Sequence, residues 1–320
     1  MKTAVKAFKG LDKFPFKLIS DNSTTDFDLY LKTNNKIVLY SHTGYNWRQK
    51  EITDLRRQGH SNFYTKESDQ WIVNTYSSIY DLTAFPEKLT QPRKLTKIVE
   101  NSKKLLRFIY SNQITAACMD RAKVLANEIV HTLGEHPEYI HRILNSTQTD
   151  IQFYEGIRVS ALSTAIAIRM GISQQASLEH IALGGLCHQI GHRNVFLNPK
   201  NRPLTSNRTQ RSSMAKHYFN SHQTKAIAKF SYITKQIIRH HRERLDGSGY
   251  PDSLDKNSIL PEVKIVSVAT IYSELTAKTL ERKRNSTFQT LKWMSTNLVN
   301  KKIAKEPYDG LVKALSLPRK

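Results

Sequence analysis

The residues best suited to chemistry in this chain of 320 are histidines. Two stand side by side in "RHHRERLDGSGYP", Arg239 to Pro251. His188 and His192 lie in "LGGLCHQIGHRNVF", and His217 in "SMAKHYFN". His188 follows the apolar run "IALGGLC", so its helix is expected to be buried and its imidazole to point into a bundle interior. Neutral imidazoles projecting inward from several helices are how bundles build metal sites. His42, His60, His131, His136 and His141 fall in loops or on polar helix faces and read as surface residues.

The elements that must position these histidines are helical. From about Leu95 onward the apolar spacing is that of helices. Val124, Leu125, Ile129 and Leu133 form one expected buried stripe, and Val159, Leu162 and Ile166 another, ended by Gly171. The first eighty or so residues read differently. "FDLYL", "KIVLYSH" and "SNFYT" are strand-like. "NWRQKEITDLRRQG" places Ile52 and Leu55 on one helical face, and "DQWIVNTYSSIYDL" offers Trp71, Tyr76 and Ile79 to a core. The fold class expected is mostly α: a small α/β domain over 1–85, a linker and lead-in helix over 86–110, and a helical bundle over 111–320.

Composition narrows the class further. Lys+Arg 49 against Asp+Glu 27 gives a net charge of +22, a field that favours anionic partners. The basic residues are spread along the chain, and no zinc finger, RNA-binding signature or basic zipper is visible. A solvated basic surface is therefore expected, with no dedicated nucleic-acid site. Cys118 and Cys187 do not make a disulfide framework and read as buried thiols. No apolar run approaches the roughly eighteen residues of a membrane span, and "MKTAVKAFKGLDKF" has lysines where a signal peptide needs an apolar core. A cytoplasmic protein is the expectation.

"RERLDGSGYP" resembles the signature of the HD-GYP domains, bacterial members of the HD phosphohydrolase superfamily. In that signature two histidines and a glutamate precede a DGxGYP turn. "LGGLCHQIGH" is similar to the family's HDIGK segment, and "EVKIVSVATIYSEL" to its VADVYDAL helix. The resemblance covers roughly Asp150 to Arg284. It implies an all-helical bundle that holds two or three ions, commonly iron or manganese, and hydrolyses cyclic di-GMP. Metal-bridged hydroxide would attack the phosphodiester phosphorus, with carboxylates bridging the cations and offsetting their charge.

Carried over position by position, the resemblance also implies a degenerate site. The family's early histidine falls on Glu155, and the HD pair on His188 and Gln189. The lysine becomes His192, and the mid-chain histidine is His217. Counting back from "ERLDG", the histidine pair is His241 and Arg242, with His240 one place too early. The last aspartate becomes Thr270, and the substrate arginine Thr279. The residual ligand set is thus Glu155, His188, His217 and His241, while Gln189, Arg242 and Thr270 mark lost positions. An arginine is a permanent cation, and here it could pair with Glu155 or Glu243 in place of a metal.

Two alternatives stay open for the surviving histidines: a single Fe, Mn or Zn ion, or metal-free cavity histidines, the expected state being no cofactor. The turn Asp246, Gly247, Gly249, Tyr250 and Pro251 reads either as a shaped loop or as a docking element for a signalling partner of the diguanylate cyclase type. Weak or no cyclic di-GMP binding is expected. The leading functional expectation is a bacterial signalling protein that acts through a protein partner, or a ligand, without phosphodiesterase turnover. The alternative is an unorthodox metal-dependent cyclic di-GMP phosphodiesterase.

Overall fold

A computed structural model describes residues 4–5, 10–19, 23–33, 36–83, 90–111, 114–146, 151–190, 227, 230–277 and 286–318. The sequence-predicted site residues His192, His217 and Thr279 lie outside the described residues. The fold is mostly helical with a small α/β unit at its start. One compact unit holds 1–84 with 114–121, and the other 85–113 with 122–320.

The first unit is built on an antiparallel sheet of five strands in the order β1-β4-β3-β5-β2. The strands are β1 (Ala4–Val5), β2 (Leu11–Pro15), β3 (Leu29–Thr33), β4 (Lys36–Ser41) and β5 (Asn62–Lys66). β1 and β2 carry too little apolar alternation to be seen in sequence, and pairing supplies them. Helices α1 (Gln49–Arg57) and α2 (Gln70–Thr83) complete the unit. Its core is aromatic: Phe14, Phe27 and Tyr76 meet edge to face at 5.2–5.8 Å, and Trp47 lies on Phe63 at 5.1 Å. Trp71, expected in this core, is 59% exposed. The buried stripe of α2 runs through Val73, Tyr76 and Ile79, and Trp71 falls off it.

The second unit is a helical bundle. Its elements are α3 (Gln91–Ser111), α4 (Ala116–Glu135, shared with the first unit), α5 (Tyr139–Ser146), α6 (Ile151–Arg169) and α7 (Gln175–Cys187). After these come α8 (Tyr232–His240), α9 (Pro261–Thr276), α10 (Thr287–Asn297) and α11 (Lys305–Leu315). α6 is the axis: it packs on α3, α5, α7, α9 and α11, and Val159, Leu162 and Ile166 are fully buried along it. The stripe expected on α4 is formed by Leu125, Ile129 and Leu133, but Val124 is 38% exposed, one position off the buried face. His141, expected at the surface, is buried, with its Nε2 within 2.9 Å of the Leu317 carbonyl. The chain's last described residues cover it, a contact 176 residues apart in sequence.

α6 and α7 approach backbone to backbone. A Cβ on Gly156 would sit 2.6 Å from the Leu186 carbonyl oxygen, and one on Gly185 2.9 Å from the Ser160 Cα. The Ser160 hydroxyl donates to the Ala182 carbonyl at 2.7 Å across the same seam. This closeness brings the start of α6, with Glu155, beside the end of α7, with His188. Gly156→Ala is expected to destabilise by about 2 kcal/mol, because the backbone it meets cannot rotate away. Gly134→Ala is the control, since nothing lies within 4 Å of its Cβ position. It should gain roughly 0.5–1 kcal/mol from helix propensity. Urea denaturation of the two variants tests the seam by the opposite signs of their shifts.

Candidate functional site

His188 and His241 are held in the same way. Each is the residue that follows the last turn of a helix, α7 and α8 respectively. The Nδ1–H of His188 donates to the Gly185 carbonyl at 2.7 Å, and that of His241 to the Ile238 carbonyl at 3.0 Å. A carbonyl can only accept, so each Nδ1 bears a proton. These bonds also satisfy carbonyls that a helix end leaves open. Both rings are buried and meet edge to face, centroids 4.9 Å apart and planes at 88°. Burial, together with the nearby Arg242 charge and against the pull of the Gly185 carbonyl, lowers the His188 pKa to about 3. His188 is therefore neutral, with its Nε2 buried and without a hydrogen-bond partner.

Glu155 supplies the acid. Burial and the neighbouring Glu274 push its pKa up to about 7, against the opposing effects of Arg242, Gln189 and Arg158. The Gln189 side chain hydrogen-bonds its carboxylate. One oxygen of each, Oε1 of Glu155 and Oε1 of Gln189, is buried without a partner. Thr270, at the position of the family's last aspartate, is buried and donates its hydroxyl to the Val266 carbonyl of its own helix at 2.8 Å. It offers the centre no charge.

Arg242 decides the electrostatics. Its Nη2 lies 3.1 Å from Oε1 of Glu274, and its guanidinium sits 6.0 Å from the Tyr250 ring centroid. Its pKa stands above the ordinary arginine value: burial opposes the rise, but Glu274, Tyr250 and Glu155 outweigh it. The partners expected from the sequence were Glu155 and Glu243, and the ion pair forms instead with Glu274. Glu243 is committed elsewhere. It is 2% exposed, and its carboxylate accepts the backbone N–H groups of Asp252 (2.7 Å), Ser253 (3.1 Å) and Leu254 (3.2 Å). Glu274 was legible in principle, because it follows Thr270 by one helical turn and so shares its face.

The turn after Arg242 is built against that residue's backbone. Tyr250 N–H donates to the Arg242 carbonyl at 3.4 Å, and Asp246 Oδ1 accepts the Ser248 N–H at 3.0 Å. Gly247 has φ +69°, the left-handed region that favours glycine, and the Tyr250–Pro251 peptide is cis. Gly249 is buried in the turn, whereas Asp246 and Ser248 face solvent. A second anchor lies one residue away from the ligand positions. Arg239 grips Asp252 with two bonds, 2.8 and 3.0 Å, and His240 Nε2 reaches the same carboxylate at 2.8 Å.

These bonds hold the Asp252 carboxyl down at about 2, chiefly through Arg239 and His240, against its burial. The unfolded value is near 3.9. Since the folded value is the lower one, the stabilisation is complete above about pH 4 and is lost as pH falls through 2. Asp252→Asn should cost about 1 kcal/mol at neutral pH, solvent screening having reduced the effect at this exposed residue, and flatten the acid limb of the stability profile between about pH 4 and 2. Urea titrations at stepped pH measure both effects.

Two imidazoles on the ends of neighbouring helices, an acid on a third and the Arg242–Glu274 pair define a polar centre in a helical bundle, buried at His188, His241 and Glu155 and open to solvent at the ion pair. The chain matches the HD domain family over residues 123–303 and belongs to that family, in its HD-GYP form. Three curated relatives are phosphodiesterases of cyclic dinucleotides by name. A cyclic di-GMP phosphodiesterase of Pseudomonas aeruginosa is 25% identical over 49% of this chain and 38% of its own length. The 3′3′-cGAMP-specific phosphodiesterase 1 of Vibrio cholerae is 25% identical over 40% and 30%. The cyclic di-GMP phosphodiesterase response regulator RpfG of Xanthomonas campestris is 24% identical over 60% and 51%. The chain thus spans between about a third and a half of the length of these relatives. Bd1817, an HDG"Y"P protein from Bdellovibrio bacteriovorus, shares the fold, with a TM-score of 0.57 at 19% identity over 96% of this chain and 100% of its own.

Among the described residues, the donors in this centre do not fit a pair of metal ions. No carboxylate stands at Gln189 or Thr270 to bridge two cations, and the Arg242 guanidinium sets a permanent positive charge that acts on His188. A dication would meet that charge where the family fold requires compensation. Among the described residues, no group of three or more His, Cys, Asp or Glu side chains is placed to hold one ion. Nor is any helix among them long and apolar enough to cross a membrane.

Proposed function

We propose that this chain is a cytoplasmic bacterial signalling protein whose helical domain is a degenerate HD-GYP domain. It acts by binding a signalling partner and does not turn over cyclic dinucleotides. The observation that carries this reading is the Arg242–Glu274 pair at 3.1 Å, a permanent cation at a metal-ligand position. The partner surface in this reading is the turn from Asp246 to Pro251. Its shape is fixed by the Glu243 carboxylate and by Asp252, while Asp246 and Ser248 stay available at its tip. A diguanylate cyclase is the partner class to test first. No metal cofactor, nucleic acid or tightly held cyclic di-GMP belongs to this reading.

A second reading, an unorthodox metal-dependent cyclic di-GMP phosphodiesterase, has one specific observation in its favour: the partnerless Nε2 of His188 and Oε1 of Glu155. One experiment separates the two. The purified chain is loaded with iron or manganese, its bound metal counted, and cyclic di-GMP hydrolysis followed. The signalling reading expects turnover no greater than in chelator. Two ions per chain with hydrolysis above that control would establish the second reading instead.

A further inference from the structure

The polar centre gathers electron-rich atoms from four helices and sets the Arg242 cation among them. Glu155 comes from α6, His188 and Gln189 from the end of α7, His241 from the end of α8, and Glu274 from α9. Oε1 of Glu155, Nε2 of His188 and Oε1 of Gln189 are buried acceptors with no hydrogen-bond partner, and each presents a lone pair. The cation is Arg242, two residues beyond the last residue of α8. It is bonded to Glu274 on α9 at 3.1 Å, and its charge reaches both Glu155 on α6 and His188 beyond α7. Its Nε is buried and makes no hydrogen bond. Such an array of acceptors repels itself unless something positive stands within it. A guanidinium meets that need at every accessible pH, because it does not deprotonate.

We propose that Arg242 is the resident cation of this bundle: its guanidinium balances the charge and ties the helices together in place of a bound metal ion, so that the assembled domain is metal-independent. This rests on the reading of the centre as one that does not assemble a two-metal site. It adds that the loss is compensated, and that the compensation resides in one side chain. A corollary is that an imidazole at position 242 returns a donor in place of a charge and lets the centre hold a divalent ion.

The test uses the full chain and four proteins: wild type, Arg242→Lys, Arg242→Met and Arg242→His. Thermal unfolding is recorded in EDTA, in manganese and in zinc, and bound metal is counted by mass spectrometry. Wild type is expected to melt at the same temperature in all three. Arg242→Met should melt about 3 °C lower in all three, since the cation that faces buried Glu155 and pairs with the more exposed Glu274 is lost without replacement. Arg242→Lys, which keeps the charge but not the planar fork, should fall between them. Arg242→His should match Arg242→Met in EDTA and recover at least half of the loss in manganese or zinc, with one ion bound per chain.

An Arg242→Met protein as stable as wild type would overturn the proposal. So would a wild type stabilised by metal, since the centre would then still take an ion beside the arginine. An Arg242→His protein that binds no ion would refute the corollary alone. Should Arg242→Met yield no folded protein, Glu274→Gln decides: it leaves the guanidinium without its ion pair and is expected to lower the melting temperature without metal rescue. Hydrolysis of cyclic di-GMP by metal-loaded wild type would instead defeat the signalling reading, so the two failures are distinguishable.

Discussion

Replacing Gly249 with alanine is expected to unfold the turn from Asp246 to Pro251 and to destabilise the helical domain by about 3 kcal/mol. A Cβ there would sit 2.3 Å from the Glu243 Cα, 2.4 Å from the Arg244 nitrogen and 2.6 Å from the Arg242 carbonyl oxygen. All three are backbone atoms of the segment that carries the centre's arginine, so no side chain can swing aside to make room. Either the turn lifts off or that segment moves with it. Gly247 provides the contrast. Its φ of +69° makes a side chain strained, but the nearest atom to a Cβ is the Ser253 carbonyl oxygen at 3.6 Å. Gly247→Ala should therefore cost only about 1 kcal/mol. Denaturant titration ranks the two, and a Gly249→Ala protein no weaker than Gly247→Ala would rule out the close approach. Partner binding through this turn, as proposed above, should vanish in the Gly249 variant and weaken little in the Gly247 one.

The second large effect concerns Glu155 and depends on pH. Its folded pKa of about 7 lies above the ordinary 4.5, chiefly because burial penalises the carboxylate. Between these two values the folded protein retains a proton that the unfolded chain releases. Stability therefore falls as pH rises through that window and levels off above about pH 7. Glu155→Gln removes the titration while keeping the shape. It is expected to be close to wild type at pH 5 and more stable than wild type at pH 8 by roughly 1–3 kcal/mol. Urea titrations of both proteins at half-unit steps would show it, and a difference that does not vary with pH would exclude a buried acid at this position.

Much of the fold was legible because it depends on local patterning. The apolar runs of α6 and α7, the glycine that ends α6 and the alternation in β3, β4 and β5 act over spans of ten to twenty residues. Misjudged side chains lie where a neighbour remote in sequence decides. Trp71 and Val124 are large apolar residues one helical step from the buried stripe, and composition alone could not separate them from their neighbours. His141 is polar and yet buried, because the segment around Leu317 closes over it. Strands β1 and β2 exist through their partners, β4 and β5, rather than through their own alternation.

For the centre, the division follows the physics of charge. The sequence by itself determined the family, through "RERLDGSGYP" and the two segments that resemble its companions, and placed an arginine at the position where the resemblance puts a histidine. It determined this because identity and register along a chain are one-dimensional facts. Only the tertiary structure decided what that arginine does. Its partner, Glu274, lies 32 positions away on another helix, while Glu243, its immediate neighbour in the chain, is held by three backbone N–H groups. The raised pKa of Glu155, the neutrality of His188 and the protonated Nδ1 of both histidines follow from burial and from carbonyls at helix ends. Those are properties of a three-dimensional field, and no spacing along the chain encodes them.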